Sequence, residues 1–331
     1  MEDGVAGRRV LVTGGGGFLG RVVCSQLRRA GAAQLTVPRR ADCDLTDRGA
    51  VDRLLRARRP QTLVHLAAEV GGIGANRANP GRYFFANAAM GLNLIDAARE
   101  FGVRKFVLVG TVCSYPRVTR VPFREEDLWG GYPEETNAPY GIAKKALIVM
   151  LGAYRAQYGL TGISLLPTNL YGPGDDFRPD TSHVIPALIR KFEGARRRRL
   201  PSVTCWGTGE ASRDFLYVDD CARAVARAAR MYDGAEPVNL GSGRETRIRE
   251  LAERIRALTG FRGDIEWDRA QPDGQPRRHL DVTRAERLLG FRARVSLEEG
   301  LARTLSWYRY GLPRAPTGAA RGASAVPDLG G

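Results

Sequence analysis

Short, almost unbroken apolar runs alternate with amphipathic segments through the first half of the chain. RRVLVTG, AQLTVP, QTLVHLAA and KFVLVG read as strands. Their lack of polar alternation is what a sheet buried on both faces requires. Between them lie FLGRVVCSQLRRAG, an amphipathic helix predicted to end at Gly31, and DRGAVDRLLRARRP, a helix closed by its proline. A further helical segment runs from Ala86 to Phe101, and KFVLVG is followed by the helix YGIAKKALIVMLGAYRAQYG and the strand GISLLPTNLYGP. This alternation predicts an α/β fold: a doubly wound parallel sheet of Rossmann type with helices on both faces.

After Pro173 the rhythm loosens. SHVIPALIRKFEGARRRR reads as one helix, and SVTCWGTGEASRDFLYVDD as a strand, a loop and a second strand. CARAVARAARMY is a helix preceded by two aspartates placed to cap it, and PVNLGSG supplies a last strand. A smaller, interleaved C-terminal domain follows from this pattern. Residues 1–175 form the dinucleotide-binding unit, completed by about 213–242, while 176–212 and 243–312 form the substrate unit. Residues 313–331, rich in Gly, Ala and Pro without periodicity, read as a disordered tail. No internal repeat is present.

Composition narrows the class. The 331 residues suffice for one large or two modest domains. No apolar run reaches the roughly 18 residues that span a bilayer. MEDGVAGRR lacks a signal-peptide core, so a cytoplasmic protein without a membrane partner is expected. Five cysteines, an odd number with no CxxC pair, point to a reducing compartment without structural disulfides. Three histidines exclude a His-rich cluster, and no metal is expected. The net charge is +15, and RRRR at 196–199 is the obvious nucleic-acid candidate. No nucleic-acid-binding motif accompanies it and no aromatics are interleaved, so the arginines are read as a surface suited to an anionic small molecule, with no nucleic acid as partner.

Chemistry enters at VLVTGGGGFLG. Gly14, Gly17 and Gly20 form a TGxxGxxG pattern between a strand and a helix opened by Phe18. Glycines there admit a pyrophosphate to the helix N-terminus. Where an NAD site carries an acid at the end of the second strand, this chain reads VPRRADCDLTD. Arg39 and Arg40 suit the 2′-phosphate of NADP(H), and Asp44 and Leu45 can border the adenine. NAPYGIAKKA places Tyr140 and Lys144 four apart, on one helical face. An ammonium beside a phenol favours phenolate, so Lys144 is expected to lower the Tyr140 pKa from its reference of about 10. Tyr140 then donates a proton to a carbonyl that receives hydride.

These features together resemble the extended short-chain dehydrogenase/reductase family over the chain to about residue 310. The resemblance puts Thr111 where the family has the Ser or Thr that bonds the substrate carbonyl. It implies a cofactor surface that also takes in Ala67, Ala68, Val109, Pro167, Asn169, Leu170 and His183. The blocks HLAAEVGGIGAN, TVCSYP, PTNLYGPGDDF, SHVIPALIRKF, WGTGEASRDFLYVDD and QPDGQPRRHLDVT are similar, more narrowly, to the GDP-L-fucose synthases in that family. What this implies is NADP(H), a GDP-linked 4-keto-6-deoxyhexose, epimerisation at C3 and C5, reduction at C4, and a homodimer.

Two readings compete for the thiol and the histidine. A small apolar cysteine is ordinary core material, and a histidine at a helix start can be a cap. Yet the 4-keto group acidifies C3–H and C5–H, and inversion needs a base and an acid that work near neutral pH. Thiol and imidazole suit that range. The resemblance makes Cys113 the base and His183 the acid, with Thr111 and Tyr140 steadying the enolate oxygen. His65, inside an apolar strand, reads as a core residue. The same resemblance assigns Asn169, Lys191, Trp206, Arg213 and Asp273 to the substrate. Thr111 and Val112 stand where the family has two serines, a departure that keeps a related GDP-dideoxy-sugar enzyme, an epimerase or a reductase open as alternatives.

Overall fold

The computed structural model describes residues 5–311; the tail expected over 313–331 lies outside the described residues. The chain opens with β1 (Arg9–Thr13), α1 (Phe18–Arg29), β2 (Gln34–Thr36), α2 (Arg48–Arg58) and β3 (Thr62–His65). It continues through α3 (Ile73–Ala78), α4 (Pro80–Glu100), β4 (Lys105–Val109), α5 (Ala138–Tyr158) and β5 (Thr161–Pro167). These strands and a later one, β9 (Val238–Leu240), form a six-stranded sheet in the order β2-β1-β3-β4-β5-β9, parallel throughout. The chain starts in the middle, runs to one edge and then crosses back past β1. Loops leaving β1 and β3 therefore diverge at the carboxyl edge, where ligands of such sheets bind.

Strand residues alternate between two cores, so each face of the sheet has its own helices. Val10, Val12, Val107 and Ile163 face α1 and a later helix, α7. Leu11, Leu63, Phe106 and Leu108 face the side of α2, α4 and α5. Burial on both faces is the reason these strands carry no polar alternation.

The remaining elements are β6 (Asn169–Tyr171), α6 (Val184–Arg198), β7 (Ser202–Trp206), β8 (Ser212–Tyr217), α7 (Val218–Met231), β9 (Val238–Leu240), β10 (Glu245–Arg247), α8 (Ile248–Thr259), β11 (Asp264–Asp268), β12 (Arg277–Arg278), α9 (Thr283–Leu289) and α10 (Leu297–Tyr310). A second, smaller sheet joins β10, β8 and β12, with β6 also paired to β8; β7 and β11 form a separate parallel pair. A third core, around Phe192, Phe215, Leu251 and Leu301, lies beneath these elements.

Four local expectations are revised. The strand read across GISLLPTNLYGP is two strands in two sheets. The break falls at Thr168, whose amide donates to Leu240 O of the large sheet at 2.9 Å and whose hydroxyl donates to Asp214 O of the small one at 3.0 Å. Helix α4 begins at Pro80, six residues before the expected start, because a proline at the first helical position needs no amide donor. Asp219 and Asp220 lie inside the first turn of α7 and do not cap it; Asp220 instead accepts the amides of Arg294 and Val295 at 2.8 and 2.9 Å. The arginine run at 196–199 is locally engaged: Arg196 and Arg197 pair with Glu193, which is 1 % exposed and also holds Arg309. Among the described residues no helix is long and apolar enough to cross a membrane.

Candidate active site

At the cofactor end, the loop after β1 is built for close approach. Gly14 has φ +70°, and a Cβ on it would lie 2.7 Å from Ala67 N in the loop after β3. A Cβ on Gly20 would fall 2.1 Å from Gly14 O, so α1 seats directly on the loop. Gly17 N donates to Gly14 O at 3.0 Å, and Phe18 opens α1, whose first turn carries no acid. A Cβ on Gly16 would meet nothing within 4 Å. This is a bare backbone cradle at a helix N-terminus, and it fits a pyrophosphate.

Arg39 and Arg40 follow β2, as read, but an acid does reach them. Glu69, brought in from the loop after β3, pairs with Arg40 at 2.9 Å and Arg82 at 2.7 Å, and Asp42 lies 3.7 Å from Arg39. The Asp44 carboxylate closes a turn on the amide and hydroxyl of Thr46, and Leu45 is buried with its carbonyl accepting from Asn93. Ala67 and Ala68 follow β3, Val109 and Pro167 end β4 and β5, and Leu170 lies in β6.

The chemical groups gather around the end of β4. The Thr111 hydroxyl accepts from Cys113 N at 3.1 Å and caps a single 3-10 turn at Val112–Ser114. Tyr140 and Lys144 lie one turn apart in α5, both buried. Between them in sequence, Gly141 lets the helix touch the loop: a Cβ there would be 2.3 Å from Cys113 O. Ser114 Oγ donates to Gly141 O at 3.0 Å. Burial pushes the Tyr140 phenol well above its ordinary range, and the charge of Cys113 adds to this. The expected lowering by Lys144 is overridden, since burial also pushes that ammonium down to about 8. The phenol thus keeps the proton that a donor to a carbonyl must hold. Lys144 Nζ faces Ala67 O at 3.5 Å.

Cys113 is half-buried, whereas the other four cysteines are buried, and none is in a disulfide. His183 stands at the N-cap position of α6 without capping it. Water reaches the imidazole, but surrounding protein pushes its pKa below the usual histidine range; Asp176 opposes that shift and Arg278 reinforces it. The preceding backbone is clamped, since Gly72 N donates to Thr181 O at 3.0 Å and a Cβ on Gly72 would lie 2.7 Å from Ser182 O. His65 is a core residue with its Nδ1 at 2.8 Å from Thr13 Oγ1.

On the substrate side, Trp206 is 55 % exposed and so is not core; Lys191 Nζ sits 5.8 Å from its ring centroid and donates to Thr204 O. Arg213 is 8 % exposed and donates to the carbonyls of Ser212, Gln275 and Asp273. It is therefore no part of a solvated basic surface. Burial, then neighbouring Arg278, pushes its pKa down to about 9. Both Asp273 carboxylate oxygens are taken by Thr208, at 2.8 Å each, which fixes the WGTG turn. Asn169 Nδ2 donates to Asp214 O at 2.9 Å, so its amide nitrogen ties β6 to β8. Sequence reading passed over Gly72, Gly141, Gln275 and Arg278. The last two lie in QPDGQPRRHLDVT, but nothing local separates Arg278 from its many arginine neighbours.

Residues 10–241 match the NAD dependent epimerase/dehydratase family, and the chain belongs to that family. Within it the chain stands with the GDP-L-fucose synthases. GDP-L-fucose synthase 1 of Arabidopsis thaliana is 40% identical over 300 residues, covering 91% of this chain and 93% of the relative. GDP-L-fucose synthase of Escherichia coli (strain K12) is 39% identical over 310 residues, covering 91% and 96%. The crystal structure of a GDP-L-fucose synthetase from Naegleria fowleri superposes with a TM-score of 0.83 at 27% identity, over 93% of this chain and 94% of that one.

The cradle makes one direct prediction. Gly20→Ala drives a methyl into Gly14 O and should weaken dinucleotide affinity by roughly tenfold or more, about 1.4 kcal/mol, with the melting temperature lowered in parallel. Fluorescence titration reads it; unchanged affinity would mean that the α1 seat does not shape the cofactor site.

Proposed function

We propose that this chain is an NADPH-dependent enzyme that inverts C3 and C5 and reduces C4 of GDP-4-keto-6-deoxy-D-mannose, giving GDP-L-fucose. The observation that carries the reading is a thiol on the loop that packs against α5 at Gly141, the residue after Tyr140. A plain carbonyl reductase has no use for it. The named relatives support the same reaction.

Each inversion is a proton exchange. The Cys113 thiolate takes the proton from the ring carbon: the C–H bond breaks, S–H forms, and the electron pair passes to the C4 carbonyl oxygen as an enolate. His183 returns a proton to the opposite face, so the carbon inverts without change of oxidation state. The pair then resets by exchanging a proton with water, which reaches His183. The Thr111 and Tyr140 hydroxyls hold the enolate oxygen. NADPH, when bound, supplies the hydride. In the reduction Tyr140 gives its proton to the C4 oxygen as C4 receives that hydride, and Lys144 holds the nicotinamide ribose. Arg39 and Arg40 support the choice of NADP(H). Lys191 and Arg213 suit the diphosphate, and Trp206 offers the guanine a flat ring beside a cation.

The protein is read as a homodimer. Phe85 and Leu92, seven residues apart on one face of α4, are 65 % and 45 % exposed, and Val149 is exposed on neighbouring α5. Apolar surface of this kind is what a second copy covers. The five unpaired thiols fit a cytoplasmic location. Sedimentation equilibrium tests the dimer, and a monomer at micromolar concentration contradicts it.

The reaction itself is tested by supplying GDP-4-keto-6-deoxy-mannose and NADPH and identifying the sugar by NMR. Inversion at both C3 and C5 is expected; a product inverted at neither leaves only a reductase, and one reduced nowhere an epimerase. Tyr140→Phe should lower NADPH oxidation by about 10²-fold or more, with NADPH affinity within about threefold of wild type as judged on the same free-energy scale. Oxidation at the wild-type rate would remove Tyr140 from the reduction.

A further inference from the structure

Arg277 and Arg278 are adjacent on β12 but have opposite fates. Arg277 turns outward and meets the Glu245 carboxylate at 2.5 and 2.8 Å. Arg278 turns inward, is 7 % exposed, and lies opposite buried Arg213 in the β8–β12 register. Two desolvated guanidinium groups side by side repel each other, and each has lost hydration worth several kcal/mol. Among the described residues neither donates to a carboxylate. Arg213 donates through Nη1 and Nη2 to backbone carbonyls. Arg278 donates through Nε to Gln275 Oε1 at 3.2 Å and through Nη1 to Cys113 Sγ at 3.6 Å.

That second contact is held in a closed ring. Gln275 Nε2 donates to the carbonyls of Pro116 and Arg117, at 3.2 and 3.1 Å, on the loop that leaves Cys113. Both ends of the Arg278–Cys113 contact are therefore tied to one glutamine. Other charged groups face this point from several elements: Arg213 on β8, His183 at the start of α6, Glu134 before α5 and Asp176 beyond β6. Glu134 is already engaged by Thr136 and Asn137, and Asp176 by Arg178 and Thr181. Among the described residues, Cys113 is thus the ionisable side chain to which Arg278 donates a hydrogen bond.

We propose that Arg278 is the positioning residue of the proton exchange: its guanidinium holds the Cys113 sulfur as thiolate and aims it at the ring carbon. The inference rests on the reading of Cys113 as the base. The same cation acts in the opposite sense on His183, where it disfavours imidazolium. One buried charge therefore faces both groups of the exchange. A thiolate beside a guanidinium is the usual route to a reactive cysteine.

The test uses the full-length enzyme saturated with NADP+. Iodoacetamide labelling at fixed pH, read by mass spectrometry, reports Cys113, since the other four thiols are buried. A charge-assisted hydrogen bond is worth about tenfold or more in rate. Arg278→Gln should slow labelling by that factor and slow solvent-deuterium exchange into the sugar alike. Arg278→Lys, which keeps the charge, should recover most of the loss. Gln275→Glu, nearly isosteric and able to draw the guanidinium charge away, should slow labelling in the same direction and serves if Arg278→Gln does not fold. Labelling of Arg278→Gln or Gln275→Glu at the wild-type rate overturns the inference, as does Arg278→Lys being as slow as Arg278→Gln. Cys113→Ser separates the two readings: exchange abolished there but untouched in Arg278→Gln sinks Arg278 alone, and exchange retained there sinks the base as well.

Discussion

Helix α5 reaches the loop after β4 only because residue 141 has no side chain. With a Cβ 2.3 Å from Cys113 O, the helix would have to withdraw, and the groups of the site would separate. Because it does not, one contact fixes four side chains. Thr111 and Cys113 come from the loop, and Tyr140 and Lys144 from either side of the glycine. Burial raises the Tyr140 phenol and lowers the Lys144 ammonium to about 8, so Tyr140 keeps its proton. The pairing usually inferred from such a spacing, ammonium pulling on phenol, is the weaker effect here, because desolvation of a fully buried group outweighs it.

The large sheet supplies the hydroxyls and the cofactor cradle; the small sheet supplies the cations. Thr168 joins the two by bonding both, so β6 and β8 emerge beside the carboxyl edge of β5. Arg213 and Arg278 then project toward Cys113 from β8 and β12. Among the described residues neither cation has a carboxylate to neutralise it, which is costly in a folded core and is what the proposed substrate and proton exchange would make use of. Gln275, bonded to Arg278 and to the loop carbonyls at Pro116 and Arg117, keeps the two sheets in register at the point where the chemistry occurs.

The large sheet was legible because its strands are buried on both faces and its helices keep a clean period. The glycine cradle and the Tyr140–Lys144 spacing were legible because each is a short-range pattern. What escaped was set by tertiary contact. Glu69 reaches Arg40 from a different loop, the strand after Leu160 changes sheet at Thr168, and Arg278 differs from Arg277 only in which face of β12 it occupies. Asp273, read as a substrate ligand, also holds Thr208 through both oxygens, a role in the turn that its Gly-rich block does not reveal. Trp206 was balanced between core and platform, and its exposure removes it from the core.

In the proposed reaction one thiol–imidazole pair exchanges ring protons independently of the hydride step. The most direct measurement is to incubate the enzyme with GDP-4-keto-6-deoxy-mannose in deuterated water without NADPH and locate the label by NMR. Deuterium at both C3 and C5 is expected. A sugar that stays unlabelled at both carbons while the same enzyme reduces it once NADPH is added would contradict it.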